Sequence, residues 1–369
     1  MELTVTFKTL TPFWTGGVGG VSDRLYETGL LGSLRWWYEA IVRGLGGSAC
    51  DPTEHACNFD EEKYRRSQAT DRRQRLRDAG LCDACQVFGA TGWRRRFRLE
   101  VVEDRTRVAW SPSSEMLNIR PPDRRRGWFL PPGRMGTFTL RFIGEEEALN
   151  MVAALLLFLE QWGTLGAKPQ LGYGVFQLVD RPRIVERARL WMWEGMGDRE
   201  PRPVLPDLRE FGFFRLRFSP SRPNWWLNVP GLERVPAEPI RRLVVEHRAI
   251  PVTPALKNQW RFHLWKGRPS EEVYVFGSAE WRENGQQIRL RSKVAVTWAY
   301  PVGDEWEVRG FAWLPKSVPA QRVWRILTDP NGWKQAIPVS GILSAFPKGD
   351  WQVRSAVEIA KLLNETKGA

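Results

Sequence analysis

The sequence predicts an α+β protein made of two consecutive βαββαβ units. Three observations lead there. Apolar residues alternate with period two in short segments and recur with period 3.6 in longer ones, the signatures of strands and helices. Over the first 180 residues these segments run strand, helix, strand, strand, helix, strand. A new apolar strand pattern then opens at Phe211, after a proline-rich stretch of mixed charge.

Leu3 to Thr9 alternates Leu, Val and Phe with Thr and Lys, a half-buried strand. A glycine-rich loop, Thr15-Gly16-Gly17-Val18-Gly19-Gly20, leads to a helix from about Gly29 to Leu45. Leu30, Leu34, Trp37 and Ile41 form its inward face. Trp36, about 100° around the helix from Trp37, should face outward. Gly29 and Gly32 leave room in the first turn for a backbone or a phosphate, and the free amides of that turn suit an anion. An irregular polar region reaches about Leu81. A short helix spans Asp83 to Phe88, and Phe97 to Glu103 is a strand. Ser111 to Gly133 is a long Pro- and Arg-rich loop able to project as a finger. Gly136 to Ile143 is a strand, Glu145 to Trp162 a helix with Leu149, Val152, Leu156 and Leu159 inward, and Tyr173 to Val179 a strand. This order is the ferredoxin-like split βαβ arrangement, shared with RNA-recognition modules.

The expected organisation is an N-terminal ferredoxin-like domain, residues 1–180, with a Cys-rich zinc-knuckle insertion at 48–88; a linker, 181–209; and a degenerate second ferredoxin-like copy, 210–369. In the second copy the patterns give a strand at Phe211–Phe218, a helix near Pro239–Glu246 and strands near Glu272–Phe276, Ile288–Trp298 and Trp306–Leu314. Helices follow near Pro319–Leu327 and Gln352–Leu363. A Phe-Gly pair recurs, Phe88-Gly89 and Phe276-Gly277.

The 369 residues carry a net charge of +13, and 44 of the 55 basic residues are Arg. Arg forks onto phosphate and stacks on bases, where Lys acts as a point charge. With 20 Trp and 18 Phe as stacking surfaces, the composition favours a nucleic-acid partner over a membrane or an acidic metabolite. No apolar run reaches 18 residues, and the N-terminus lacks an apolar signal-peptide core, so a cytoplasmic protein is expected.

All four cysteines fall between Cys50 and Cys85 as C-x6-C, a gap, then C-x2-C. Disulfides are rare in the cytoplasm, so the cluster reads as a metal site. Cys50, Cys57, Cys82 and Cys85 would close a tetrahedron around a structural Zn2+ and leave no open position for catalysis. His55 is an alternative ligand in place of Cys50 or Cys57. Asn58–Gly80 is nearly all polar, and a metal clip would hold its ends together.

Basic runs with flanking aromatics suit a phosphate backbone. One lies between Tyr64 and Arg77. Others are Arg94-Arg95-Arg96, Arg124-Arg125-Arg126, and Arg289, Arg291 and Lys293, which alternate along an expected strand. Each run alone reads better as a solvated loop; three in one domain shift the reading towards RNA. Catalysis has little support. His55, His247 and His263 stand in separate contexts, and the chain shows no paired-His metal motif, nucleophile elbow or Walker lysine.

Several segments resemble one family. Thr11-Pro12-Phe13-Trp14-Thr15-Gly16-Gly17 and Glu27-Thr28-Gly29-Leu30-Leu31-Gly32-Ser33-Leu34-Arg35-Trp36-Trp37-Tyr38 are similar to the N-terminal signature of the CRISPR-associated RAMP superfamily. Val87-Phe88-Gly89-Ala90-Thr91-Gly92-Trp93 and Lys168-Pro169-Gln170-Leu171-Gly172-Tyr173-Gly174 look like its later motifs. Ile250–Leu256 and Val275–Ser278 fit more loosely. Within the superfamily the resemblance is to the first-numbered RAMP subunits of type III-B (Cmr) effector complexes. It implies a non-catalytic RNA-binding subunit in antiviral defence, contacting guide RNA near its 3′ end and target RNA beside sibling RAMP subunits. On these motifs the RNA-facing residues are Gly16, Gly17 and Arg35 with Trp36, then Arg94 to Arg96 and Lys168 with Gly172. The alternative is a RAMP-type, metal-independent endoribonuclease that processes guide precursors and needs a positioned base. An adaptor without RNA contact fits the charge poorly.

Overall fold

The computed structural model describes residues 1–17, 19–110, 116–189, 204–283, 285–346 and 355–368. Much of the expected linker, 190–203, and the start of the expected last helix lie outside these residues. The chain forms a mixed α+β fold with antiparallel sheets. The first sheet places Phe97–Asp104, Thr137–Gly144, Glu2–Thr9 and Phe176–Leu178 side by side, every neighbour antiparallel. In chain order that is second, third, first, fourth. Helices Glu27–Gly44 and Glu146–Gln161 pack against it. The second sheet places Val294–Val296, Glu305–Trp313, Phe211–Phe218 and Gly341–Phe346 in the same sequence, again antiparallel, with Tyr300–Val302 added on Glu305–Trp313.

The two sheets are not independent bodies. Trp37, buried as its helical position requires, meets Phe158 of the first unit and Phe211 and Phe311 of the second. The helix Ala356–Gly368 returns to the first unit and buries Ile359, Leu362 and Leu363 in that core. Among the described residues no helix is long and apolar enough to cross a membrane.

Several elements differ from the sequence reading. The strand expected at Ile288–Trp298 is two, Gln286–Leu290 and Val294–Val296, and the strand Gly341–Phe346 has no counterpart among the expected elements. Three further differences have a local cause. Glu272–Phe276 alternates like a strand, yet it is the end of a helix, Pro269–Phe276. Pro269 pre-sets the first helical residue, Glu271 accepts the Arg268 N–H at 3.4 Å, and Gly277 ends the helix with φ +81°. The polar region before Leu81 holds two short helices, Glu61–Arg66 and Arg72–Asp78, each capped by an aspartate. It has a small core of its own, Leu76 and Leu81 against Phe59, Tyr64 and Trp93. The loop expected to project as a finger contains a hairpin, Leu117–Ile119 with Trp128–Leu130, whose Leu117, Ile119 and Leu130 are buried.

Candidate nucleic-acid interface

The helix Glu27–Gly44 starts without a side-chain cap, but the loop before it is already braced. Thr15 Oγ1 donates to the Arg24 carbonyl at 3.1 Å and accepts the Tyr26 N–H at 3.0 Å, while the Ser22 hydroxyl accepts the Thr15 N–H. The Gly17 and Gly20 amides bond within the loop, to Val21 and Gly17 carbonyls. Gly17 is required for contact, because a Cβ there would lie 2.6 Å from the Tyr26 ring. Gly16 is exposed beside Trp14, and the Lys168 ammonium lies 4.5 Å from the Trp14 ring centre.

One helical turn on, Ser33 Oγ accepts the Gly166 N–H at 3.0 Å and fixes the Gly163–Gly174 loop against the helix. Lys168 is held there at φ +64°. Between this loop, the helix and the segment Arg289–Lys293 of the second unit lies a cleft of about 840 Å³. Trp36, 38% exposed, stands in its wall, and Lys168, Arg289, Arg291 and Lys293 line it. Glu39 and Asp51 are its acidic members, and Glu39 is already paired with Arg35 and Arg43. Burial lowers the Lys168 amine and pushes the Lys293 amine down to about 8. Lys293 rests on the Tyr274 ring, 3.4 Å from its centre, and donates to the Tyr274 carbonyl.

The cleft thus gathers Trp36, Lys168, Arg291 and Lys293 from distant parts of the sequence. It does not gather the other expected residues. Arg35 turns inward, donating to Glu39 at 2.8 Å, to the Gly89 carbonyl at 3.3 Å and to Cys85 Sγ at 3.2 Å. Arg96 is clamped by Glu145 and Glu147; Arg94 is exposed and Arg95 half-buried. Arg124 stacks on Phe262, Arg126 pairs with Glu280 at 2.6 Å, and Arg125 is exposed. Gly172, φ +90°, is buried against Thr253 and Trp298 of the second unit. The run from Arg65 to Arg77 is committed to protein: Arg65 and Arg66 to Glu61 and Glu62, Arg72 to Glu145, Arg73 and Arg77 to Asp83, and Arg75 to the Tyr64 ring. Arg289, Arg291 and Lys293 do not alternate along one strand. The strand Gln286–Leu290 ends before Arg291, and Lys293 N–H turns to the Val275 carbonyl.

The cysteines converge. The Sγ atoms of Cys50, Cys57, Cys82 and Cys85 all lie within 4.8 Å of one another. A tetrahedral ion with bonds of about 2.3 Å spaces its sulfurs about 3.8 Å apart, so the donor set fits a closed four-sulfur site. Cys82 caps the helix Asp83–Phe88 and accepts the Cys85 and Cys50 N–H groups, and Cys57 Sγ accepts the Cys82 N–H, each at 3.4 Å. Hydrogen bonding with Cys82 and Cys85 holds Cys50 far below the thiol range, while the bond with Cys50 pushes Cys82 up to about 12 and Cys85 higher. Four thiols this close cannot all ionise without a cation among them. His55 is exposed and outside the cluster. Asp83 is fully buried beside it, accepting from Ser48, Arg73 and Arg77; burial pushes its carboxyl up, but the two guanidinium groups outweigh that and lower it.

Residues missed in the sequence are Ser33, which braces the loop, and Lys257 and Arg261, which line a second hollow. Nothing in their local pattern marks them; only the junction of the two units brings Ser33 to the cleft and Lys257 and Arg261 to the hollow beside it.

Residues 6–177 match the family model described as RAMP superfamily. No curated protein matches the chain. Among solved structures, the crystal structure of Cmr1 from Pyrococcus furiosus in its apo form aligns over 94% of this chain and 98% of that one, at 13% identity and a TM-score of 0.43. The family match takes in the first sheet from Thr6 to Gln177 and both of its packed helices, so the N-terminal unit is what is similar to the RAMP superfamily.

Proposed function

We propose that this protein is a non-catalytic, RNA-binding subunit of a type III-B (Cmr) RNA-guided effector ribonucleoprotein, contacting guide RNA near its 3′ end and target RNA. The observation that carries this reading is the junction cleft, where an exposed Trp36 faces Lys168, Arg289, Arg291 and Lys293. Cations over a groove with an aromatic platform suit a single strand, whose phosphates need charge and whose bases need a stacking face. Arg94 and Arg125, both exposed, and the half-buried Arg95 extend the track. The shared strand order of the two sheets supports reading them as two ferredoxin-like copies, with boundaries near 180 and 210. The four-cysteine cluster is a structural zinc site: Cys50, Cys57, Cys82 and Cys85 would hold the ion, which would tie the insertion to the first unit. The segments similar to first-numbered type III-B subunits support a position beside sibling RAMP subunits.

A binding role is favoured over guide-precursor cleavage because the histidines do not converge. His55 is exposed, His247 sits apart with burial lowering its imidazole, and His263 is held by Asp123 at 2.9 Å. The test is purification of the tagged chain from its native cells, with sequencing of bound RNA. Short RNAs sharing a repeat-derived end, together with sibling RAMP proteins, are expected. A chain recovered alone and free of discrete RNA refutes the reading.

A further inference from the structure

Beside the junction cleft lies a second hollow of about 700 Å³. The two adjoin, sharing Gln170 and the stretch Arg289 to Ser292. The second hollow is lined by Lys257, Arg261, Arg289 and Arg291, with Ser278 and Ser292 among its polar members, and among the described residues no Asp or Glu lines it. Lys257 is the unusual member. It is 6% exposed, on the buried helix Thr253–Asn258, and among the described residues its ammonium finds only Ser292 Oγ, at 3.5 Å. Arg261, one turn on, has a carboxylate at 2.6 Å, Glu272; Lys257 has none. A buried lysine without a counter-ion is costly, and burial and the Arg261 charge together push its amine down to about 7. Packing alone would be better served by Met or Leu at this position.

We propose that this hollow is a phosphate-binding subsite, with Lys257 as its buried cation and Arg289 and Arg291 at its mouth. The proposal rests on the RNA-binding reading for the source of the anion: a phosphate group of the strand that crosses the adjoining cleft. A phosphodiester and a terminal phosphate share this chemistry. Either would supply the missing negative charge, while the Ser292 hydroxyl, whose proton goes to the Val294 carbonyl, accepts from Lys257 and steadies it.

The test uses the full chain, Lys257→Met and Lys257→Gln, with two single-stranded RNA oligonucleotides of one sequence, ending in a 3′-hydroxyl or a 3′-phosphate. Affinity is read by fluorescence anisotropy across a salt series. Loss of one phosphate contact lowers the salt slope by about 0.7 for a single strand. The expected result is about tenfold weaker binding in both variants, that smaller slope, and melting temperatures no lower than wild type. A wild-type preference for the 3′-phosphate that both variants lose identifies a terminal phosphate; equal binding of the two ends, with the same loss in the variants, identifies an internal phosphodiester. Variants that bind both RNAs with wild-type affinity and slope overturn the subsite. If the wild type binds neither RNA, the RNA reading fails separately, and inorganic phosphate decides the subsite. A phosphate-induced rise in wild-type melting temperature that both variants lack retains it, and no such rise removes it.

Discussion

Arg309 is the side chain through which the second unit grips the first. It lies on the strand Glu305–Trp313, is 5% exposed, and donates to carbonyls at the end of the helix Glu146–Gln161. Its guanidinium meets the Glu160 carbonyl, the Leu159 carbonyl at 3.3 Å and the Gly163 carbonyl at 3.0 Å. These are the acceptors a helix leaves open at its C-terminus, where the macrodipole also favours a cation. Arg309→Met keeps the apolar stem and removes the fork. The Leu159 carbonyl keeps a second donor, the Gly163 N–H. The Glu160 and Gly163 carbonyls lose theirs, at about 1–3 kcal/mol each for a buried orphan. Glu307, which Arg309 helps to hold ionised, keeps Arg215 at 3.2 Å and Arg217 at 2.9 Å. Relief of guanidinium desolvation offsets part of the loss, leaving about 3–4 kcal/mol. Urea denaturation followed by tryptophan fluorescence measures it. The midpoint should fall by that equivalent, and the transition should broaden as the second unit opens ahead of the first. A loss under about 1 kcal/mol with an unchanged slope would refute the idea that this contact couples the units.

Four other outcomes are expected. Chelator treatment of metal-analysed protein, or Cys82→Ser, should lower the melting temperature and expose the insertion to protease; identical melting and cleavage with and without chelator removes the zinc assignment. Trp36→Ala should weaken single-stranded RNA binding by about 1–3 kcal/mol, the loss of one stacked base, with little change in stability because the ring is partly exposed; wild-type affinity counts against the cleft. Gly172→Ala should destabilise the chain by about 1–3 kcal/mol, since a side chain there is strained at φ +90° and meets Trp298; an unchanged urea midpoint would show that the loop relaxes freely. Lys257→Met should stabilise the fold by about 2–4 kcal/mol at neutral pH, because a folded lysine held near 7 against about 10.4 unfolded carries that penalty. The penalty is full below pH 7 and fades as pH rises towards 10. The gap between variant and wild type should therefore be larger at pH 6 than at pH 9, and a gap independent of pH denies a charged, unpaired Lys257.

The sheet and the two long helices of the first unit were legible because their signals are local, whereas the short helices before Leu81 and the hairpin Leu117–Leu130 were not. The 3.6 period through Leu30, Leu34, Trp37 and Ile41 and the alternation of Leu3–Thr9 state their burial outright, and both are observed. The same logic separated Trp36 from Trp37. The cysteine cluster was legible because C-x2-C at a helix start brings two sulfurs together by covalent geometry. Arginine roles were not legible, since each depends on a partner far along the chain. Arg96 belongs to Glu145 and Glu147, Arg126 to Glu280, and Arg35 to the cysteine cluster. A charge run announces that charge is present and leaves open whether acid or solvent faces it. In the second unit, Val and Tyr in Glu272–Phe276 spoke for a strand, and capping at Arg268–Glu271 and Gly277 outvoted them.

The recurring Phe-Gly pair carries further than two dipeptides allow. Gly89 and Gly277 end their helices at φ +87° and +81°, both with ψ 159°. The Arg96 N–H meets the Val87 carbonyl at 3.0 Å, and the Lys293 N–H meets the Val275 carbonyl at 2.8 Å. Arg94-Arg95-Arg96 and Arg291-Ser292-Lys293 therefore occupy matching places in the two units. Their surroundings differ. Arg96 is neutralised by two glutamates, whereas Lys293 has a carbonyl and an aromatic ring. Arg94 is exposed on the outer surface, whereas Arg291 opens onto the cleft opposite Trp36 and Lys168. A phosphate at Arg291 would be shared with half-buried cations in a concave site, where each charge counts for more than on open surface. Arg291→Ala should weaken RNA binding at least threefold more than Arg94→Ala, measured in parallel at one salt concentration. Equal losses, or a larger loss at Arg94, would mean that the strand follows the outer face of the first unit and that the cleft is not its path.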